Sequence, residues 1–175
     1  VANHLSSLIP MYTVLEDGDD RSDPKLVDKT VDAMRSGSPL IYQALLSDDK
    51  SHTYGFADFL IRSDKLIELF PNSISKEESM LRAPSLGNEN WHYRVIDVKF
   101  TTLHFNSGGE ISATGSAWGY MLQIFIYNRA LGTMQGYTPP GGYLLGRKWQ
   151  QTKKGEKFKV RNCMDRLAYL DTDYN

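Results

Sequence analysis

A carboxylate and an ammonium group lie two residues apart in the segment NWHYRVIDVKFTT, residues 90–102. Apolar and polar residues alternate from Tyr93 to Phe100, which predicts a half-buried strand. Alternate residues of a strand share a face, so Asp97 and Lys99 are expected to point the same way. Burying either charge without a partner is costly. The pair therefore indicates a reactive site or a plain ion pair, and this segment alone leaves both alternatives open.

A second acid, Asp58, lies in another alternating segment, TYGFADFLIRS, residues 53–63. The alternation predicts a strand with two distinct faces. One face carries Tyr54, Phe56, Asp58 and Leu60, and the other carries Gly55, Ala57, Phe59 and Ile61. Aspartate is depleted in strands, so a lone acid on an apolar strand face is unusual. On the strand of Asp97, the face opposite the charges is bulky enough for a core and carries Ile96, Val98 and Phe100.

The elements that must position these residues follow from periodicity and turn signals. Residues 25–35 predict a helix that stops near Gly37, and residues 40–47 predict a strand before the two acidic strands. Residues 63–89 predict a long connection with one short helix near residues 76–81. A second long helix is expected over residues 117–131, ended by Gly132, followed by a strand over residues 143–149. The order αβββαβ predicts a mixed central sheet flanked by helices.

Two helices carry polar residues four positions apart, which places each pair on one face. On the later helix these residues are Gln123 and Tyr127, which are either functional or a hydrogen-bonded pair at the edge of the core. On the first helix they are Asp28 and Asp32, which are expected to face solvent. The four histidines show no spacing typical of a zinc site.

Composition limits the class of protein. The chain has 175 residues, 41% hydrophobic and 23% charged, which fits one globular domain. No stretch approaches the roughly 20 apolar residues that cross a bilayer. A single cysteine, Cys163, excludes an internal disulfide and favours a reducing, intracellular compartment. The chain begins with Val1, so we expect a domain cut from a longer protein, with an irregular segment at residues 1–24 and one domain at residues 25–175.

Charge is distributed unevenly along the chain. The net charge of −1 argues against a general nucleic-acid binder, but the C-terminal part is rich in basic residues. Those nearest the last predicted strand of the core are Arg147, Lys148, Lys153 and Lys154. Such a cluster predicts contacts with a phosphate backbone, and a solvated loop is the alternative.

Four pieces of the sequence, taken in order, resemble one known family. They are GFADFLIR with Asp58, IDVKFT with Asp97 and Lys99, QIFIY with Gln123 and Tyr127, and the αβββαβ order. Together they resemble the PD-(D/E)XK nuclease superfamily, and most closely its RecB-like branch, whose members carry G-x-x-D, D-x-K and Q-x-x-x-Y. The segments AMRSGSPLIYQALL, WHYRVIDVK, YNRALG and YLLGR are also similar to predicted RecB-family nucleases, so the resemblance covers residues 30–171. The branch often has a histidine or glutamate on the first helix, where this chain offers Asp28 and Asp32.

The resemblance implies a metal-dependent deoxyribonuclease of DNA repair, recombination or replication. Asp58, Asp97 and the main-chain carbonyl of Val98 would supply the hard oxygen ligands that suit Mg²⁺ or Mn²⁺. Lys99 would orient the attacking water or stabilise charge on the phosphate, and Gln123 and Tyr127 would contact the water, Lys99 or the substrate. Two alternatives remain open: an inactive nucleic-acid-binding module on the same fold, and a nuclease that acts on RNA.

Overall fold

The structure is a computed structural model that describes residues 1–87, 90–112, 117–153, 156–160 and 163–172. Its α-helices are α1 (Ala2–Leu8), α2 (Lys25–Arg35), α3 (Ser63–Leu69), α4 (Lys76–Ser79) and α5 (Ala117–Gln135). Its strands are β1 (Met11–Thr13), β2 (Leu40–Asp48), β3 (Thr53–Arg62), β4 (Tyr93–Phe105), β5 (Gly141–Lys153), β6 (Glu156–Val160) and β7 (Ala168–Asp171). Short 3₁₀ turns lie at Pro84–Leu86 and Cys163–Asp165.

Within the described ranges, the strands form one seven-stranded mixed sheet. Its order is β1-β2-β3-β4-β5-β6, and β7 also pairs with β5. The β1–β2 and β4–β5 pairs are parallel, whereas β2–β3, β3–β4, β5–β6 and β5–β7 are antiparallel. The α2-β2-β3-β4-α5-β5 succession confirms the predicted mixed sheet flanked by helices.

Two apolar clusters cover the sheet. The first includes buried residues of α2 and α5, such as Met34 and Ile124, packed with Leu60 and Val95 of the sheet. The second includes Leu5 of α1 and Leu66 of α3, together with sheet residues. Because each cluster draws on different helices, the central strands are buried on both sides, which explains their nearly continuous apolar sequences.

The predicted alternation of β3 is wrong at Asp58. Ala57 belongs to the first cluster with Leu60, whereas Phe59 belongs to the second cluster with Ile61. The alternation of side chains between the two faces therefore shifts by one residue at Asp58. Phe59 and Leu60 each lie on the face opposite to the one that a regular strand continuing from Ala57 would give them. The partner strand β2 slips at the paired position, Gln43, whose φ of 53° is left-handed. A residue other than glycine with a positive φ turns the chain locally. The side chains of the two strands therefore switch faces at the same paired position.

The helix over residues 25–35 is confirmed with its expected bounds. Its apolar face buries Leu26 and Met34, and the Asp23 carboxylate accepts a hydrogen bond from the Lys25 amide at the start. At the end, Gly37 has a φ of 73° and its amide donates to the Met34 carbonyl. A glycine in this conformation terminates helices because it bears no Cβ.

Several expectations of the outer elements are wrong. Residues 1–24 are not an irregular segment throughout, because α1 packs in the second cluster and β1 adds a parallel strand to β2. The connection after β3 contains α3 in addition to the expected short helix. Gly132 does not end the long helix: α5 continues to Gln135, and Gly136, with a φ of 75°, follows it. Phe100 is not in the core but is 86% exposed. Among the described residues, no helix has the length and apolar character needed to span a membrane.

Candidate functional site

Asp58 and Asp97 occupy the point at which β3 and β4 separate. The two antiparallel strands pair from Arg62↔Tyr93 as far as Phe59↔Ile96. Asp58 and Asp97 are the next residues on each strand beyond that last pair. The fold therefore brings the two acids together where β3 and β4 diverge, and we call this point the fork. Beyond it, the main-chain groups of β3 and β4 no longer pair with each other.

The Asp58 side chain bridges this fork. Its Oδ2 accepts a hydrogen bond of 2.7 Å from the Val98 amide, a group that the separation of the strands has left available. Its Oδ1 accepts a 3.1 Å hydrogen bond from Nε2 of Gln43 on the other neighbouring strand. Hydrogen bonds to a carboxylate are charge-assisted, so the amide and Gln43 hold Asp58 in one orientation.

Asp97 is nearly buried, with 2% of its surface exposed. Its Oδ2 forms a close ion pair with Nζ of Lys99, at 2.5 Å. Burial raises the pKa of the Asp97 carboxyl above its usual value, Lys99 opposes the rise, and the negative charge of Asp58 adds to it. Beyond the Lys99 ion pair, Asp97 Oδ2 has no hydrogen-bond partner among the described residues.

A polar chain leads from Asp97 to α5. Lys99 Nζ donates to Oε1 of Gln123 at 2.6 Å, and Gln123 Nε2 donates to the Tyr127 hydroxyl at 3.0 Å. The ammonium group also lies 4.9 Å from the centre of the Tyr120 ring. The helical spacing predicted for Gln123 and Tyr127 is confirmed, and the two side chains form the hydrogen-bonded pair that was one of the two alternatives. Their functional role stays a prediction.

The residues expected to form a metal site present a fitting but incomplete donor set. The carboxylates of Asp97 and Asp58 carry the hard oxygen atoms that divalent Mg²⁺ or Mn²⁺ prefers. In the ranges that the structure covers, no group of three or more Asp, Glu, His or Cys side chains is gathered. Asp28 and Asp32 on α2 are exposed, as expected. Water and the Val98 carbonyl would therefore complete the coordination, as is usual for Mg²⁺.

The predicted phosphate-binding residues are placed in part. Arg147 and Lys148 on β5 are both exposed. The Arg147 guanidinium lies 4.9 Å from the centre of the Phe100 ring, which follows the Asp97–Lys99 segment on β4. Lys153 is the last residue of β5, and Lys154 lies outside the described residues. Of the four predicted phosphate-binding residues, Arg147 is thus the one whose contact places it beside β4.

Two residues near the site were not singled out from the sequence. Gln43 contacts Asp58, and Tyr120 contacts Lys99. An uncharged glutamine in an apolar strand, LIYQALL, was the available signal for Gln43. Tyr120 gave no signal of its own, because a ring contact depends on how α5 packs on the sheet.

Comparison of the chain with protein-family models, with curated proteins and with solved structures found no match.

Proposed function

We propose that the protein is a metal-dependent phosphodiester hydrolase. More particularly, we propose a deoxyribonuclease of the RecB-like PD-(D/E)XK type, acting in DNA repair, recombination or replication. The observation that carries the proposal is the meeting of Asp58 and Asp97 at the separation of β3 and β4, with Lys99 ion-paired to Asp97. Carboxylates can hold the metal ion, and a lysine beside them can stabilise negative charge that develops on the phosphate.

The two carboxylates would hold Mg²⁺ or Mn²⁺, which when bound supplies Lewis acidity toward a phosphate and lowers the pKa of a coordinated water. Gln43 and the Val98 amide restrain Asp58, so its orientation is set before any ligand arrives. Such preorganisation reduces the rearrangement needed for binding and for reaction.

Lys99 supplies positive charge where negative charge develops on a phosphate during hydrolysis. Its ammonium is held between the Asp97 carboxylate and the Gln123 amide oxygen, so the position of the charge is fixed from two sides. Tyr127 in turn fixes the Gln123 amide by accepting from Nε2. The side chains of Asp97, Gln123 and Tyr127 thus position the Lys99 ammonium group through one ion pair and two hydrogen bonds.

Cleavage assays on end-labelled nucleic acids test this function. Single-stranded DNA, double-stranded DNA and RNA of the same sequence are incubated with Mg²⁺, Mn²⁺ or chelator, with Asp97→Ala and Lys99→Ala alongside. We expect metal-dependent cutting of DNA that both variants lose. Asp28→Ala, which removes an exposed acid of α2, is the matched control and should cut normally.

The same assay separates the alternatives. Cutting of RNA in preference to DNA would redirect the proposal to an RNA-directed nuclease. Binding of DNA without cutting in any metal, equal in the wild type and in Asp97→Ala, would contradict the hydrolase and favour an inactive binding module.

A further inference from the structure

Phe100 is exposed at a position where the strand would otherwise bury it. Ile96 and Val98 precede it on the same face of β4 and pack with the second cluster, yet 86% of Phe100 is accessible. A single exposed aromatic residue is ordinary on a protein surface. Its neighbours are what distinguish this one.

A cation and an open cavity adjoin the Phe100 ring. The Arg147 guanidinium lies 4.9 Å from the centre of the ring, on the neighbouring parallel strand. A cavity of about 520 Å³ is lined by both Phe100 and Asp58. Its wall also includes Tyr42, Phe59 and Val98, and the first three residues, Val1, Ala2 and Asn3. A volume in the range of about 300–1,000 Å³ is typical of sites for small ligands.

This combination suits one chemical group, a nucleotide whose base is unpaired. An aromatic ring offers a flat surface to a nucleobase, and a guanidinium offers paired donors to a phosphate. Inside a duplex both faces of a base are covered by its neighbours, so an interior base must leave the stack before it can lie on a protein ring.

We propose that Phe100 and Arg147 form a nucleobase subsite next to Asp58, and that the substrate presents an unpaired nucleotide there. The base stacks on Phe100, Arg147 binds the adjoining phosphate, and the chain of the substrate then runs toward Asp58. The protein accordingly prefers single-stranded DNA or frayed ends to an intact duplex. The inference rests on the proposed function for the identity of the substrate.

A binding experiment in chelator tests the subsite without requiring cleavage. Short single strands carry the fluorescent base 2-aminopurine at successive positions, and its fluorescence falls when the base stacks. We expect quenching at one position with the wild type and with Phe100→Trp, and its loss with Phe100→Ala. Loss of one stacked base corresponds to roughly 5- to 150-fold weaker binding.

Two controls make the result specific. Tyr54→Ala removes another strongly exposed aromatic residue of the sheet, 78% accessible, and should leave quenching unchanged. A strand with an abasic residue at the quenched position should bind Phe100→Ala and the wild type equally, because no base remains to stack. Thermal melting of each variant checks that the substitutions at these exposed positions leave the fold intact.

The two proposals fail in different ways. Absence of quenching with the wild type, or equal quenching with Phe100→Ala, overturns the subsite whatever the cleavage assay shows. Metal-dependent cutting that Asp97→Ala loses, together with unchanged binding by Phe100→Ala, would keep the hydrolase and reject the subsite. Quenching at Phe100 without cutting would keep the subsite and reject the hydrolase.

Discussion

Gly55 of β3 lies directly against the ring of Tyr127 on α5. A Cβ on residue 55 would stand 2.6 Å from Cε1 and 3.2 Å from the hydroxyl oxygen of Tyr127. No real Cβ makes contacts as short as the first. Gly55, three residues before Asp58, therefore leaves space for Tyr127, which is hydrogen-bonded to Gln123. A methyl group on residue 55 would close this space.

Gly55→Ala should displace Tyr127 and loosen the hydrogen bond between Gln123 and the tyrosine hydroxyl. Overpacking of this kind lowers the free energy of unfolding by about 1–3 kcal/mol. We expect lower cleavage rates as well, since Lys99 loses part of its support. Denaturant unfolding of Gly55→Ala, Tyr127→Ala and the double variant measures the coupling: the alanine should cost far less once the ring is gone. Gly119→Ala, where a Cβ meets nothing within 4 Å, is the control. Equal costs with and without the ring would contradict the contact.

Gln43→Gly should weaken metal binding without weakening the fold to the same extent. The substitution removes the amide that donates to Asp58, and groups that orient a ligand typically contribute about 10- to 100-fold to metal affinity. Glycine also relieves the left-handed backbone, whereas a β-branched residue there would be strained. We therefore expect Gln43→Gly to unfold at a higher temperature than Gln43→Val. Titration of Mn²⁺ followed by its electron paramagnetic resonance signal measures the affinity, and unchanged affinity in both variants would exclude a positioning role.

His92 should make the protein less stable as the pH falls below neutrality. Burial, chiefly, and the positive charge of Arg94 together lower the pKa of His92 from 6.5 to about 4, against the opposing effect of the Leu81 hydrogen bond. The neutral ring donates from Nδ1 to the Leu81 carbonyl at 3.0 Å. Between pH 6.5 and 4 the unfolded chain binds a proton that the folded chain does not, so this contribution to stability is complete above pH 6.5 and is lost progressively as the pH falls toward 4.

The slope from this one group approaches about 1.4 kcal/mol per pH unit within that window. Urea unfolding at several pH values, compared between the wild type and His92→Asn, isolates it, because the asparagine amide retains a donor near the Leu81 carbonyl but does not titrate. Parallel pH profiles for the two proteins would show that His92 does not carry the effect.

Glu78→Ala should destabilise the protein more than the loss of an ordinary surface acid. Arg94 is fully buried, its guanidinium donates to the Gly141 carbonyl, and it forms an ion pair with Glu78 of α4. Removing the partner of a buried charge typically costs several kcal/mol, and because Glu78 is 25% exposed we expect about 2 kcal/mol. Glu77→Ala removes the exposed acid next to it and should change the free energy of unfolding by less than about 0.5 kcal/mol. Similar values for the two variants in chemical denaturation would contradict the pairing.

The central part of the fold was predictable because its signals are local. The bounds of α2 follow from an apolar face, a capping acid before it and Gly37 after it. The alternation around Asp97 likewise predicted that Asp97 and Lys99 share a face, and their ion pair confirms it. The order of elements predicted that Asp58 and Asp97 lie on neighbouring strands, and the pairing of β3 with β4 brings them together.

The remaining features depend on tertiary contacts that no local pattern encodes. Gly132 resembles a helix terminator, but Thr138 packs so closely on it that a Cβ would lie 2.1 Å from the threonine hydroxyl oxygen, and the helix continues past it. The slip at Gln43 and Asp58 involves paired residues on two strands and is invisible in either strand alone. Phe100 has the residue type of a core position, and nothing in its own segment indicates that its side chain is 86% exposed.

The most direct test of the central claim is the cleavage rate of Asp97→Asn beside the wild type in Mg²⁺. Asparagine keeps the size of the side chain but removes the buried charge, so the folded state should be retained, as circular dichroism and thermal melting would show. We expect metal-dependent cutting of DNA by the wild type and a decrease of about 100-fold or more in the variant. Equal rates for the two folded proteins would contradict the assignment of Asp97 and Asp58 as the site of hydrolysis.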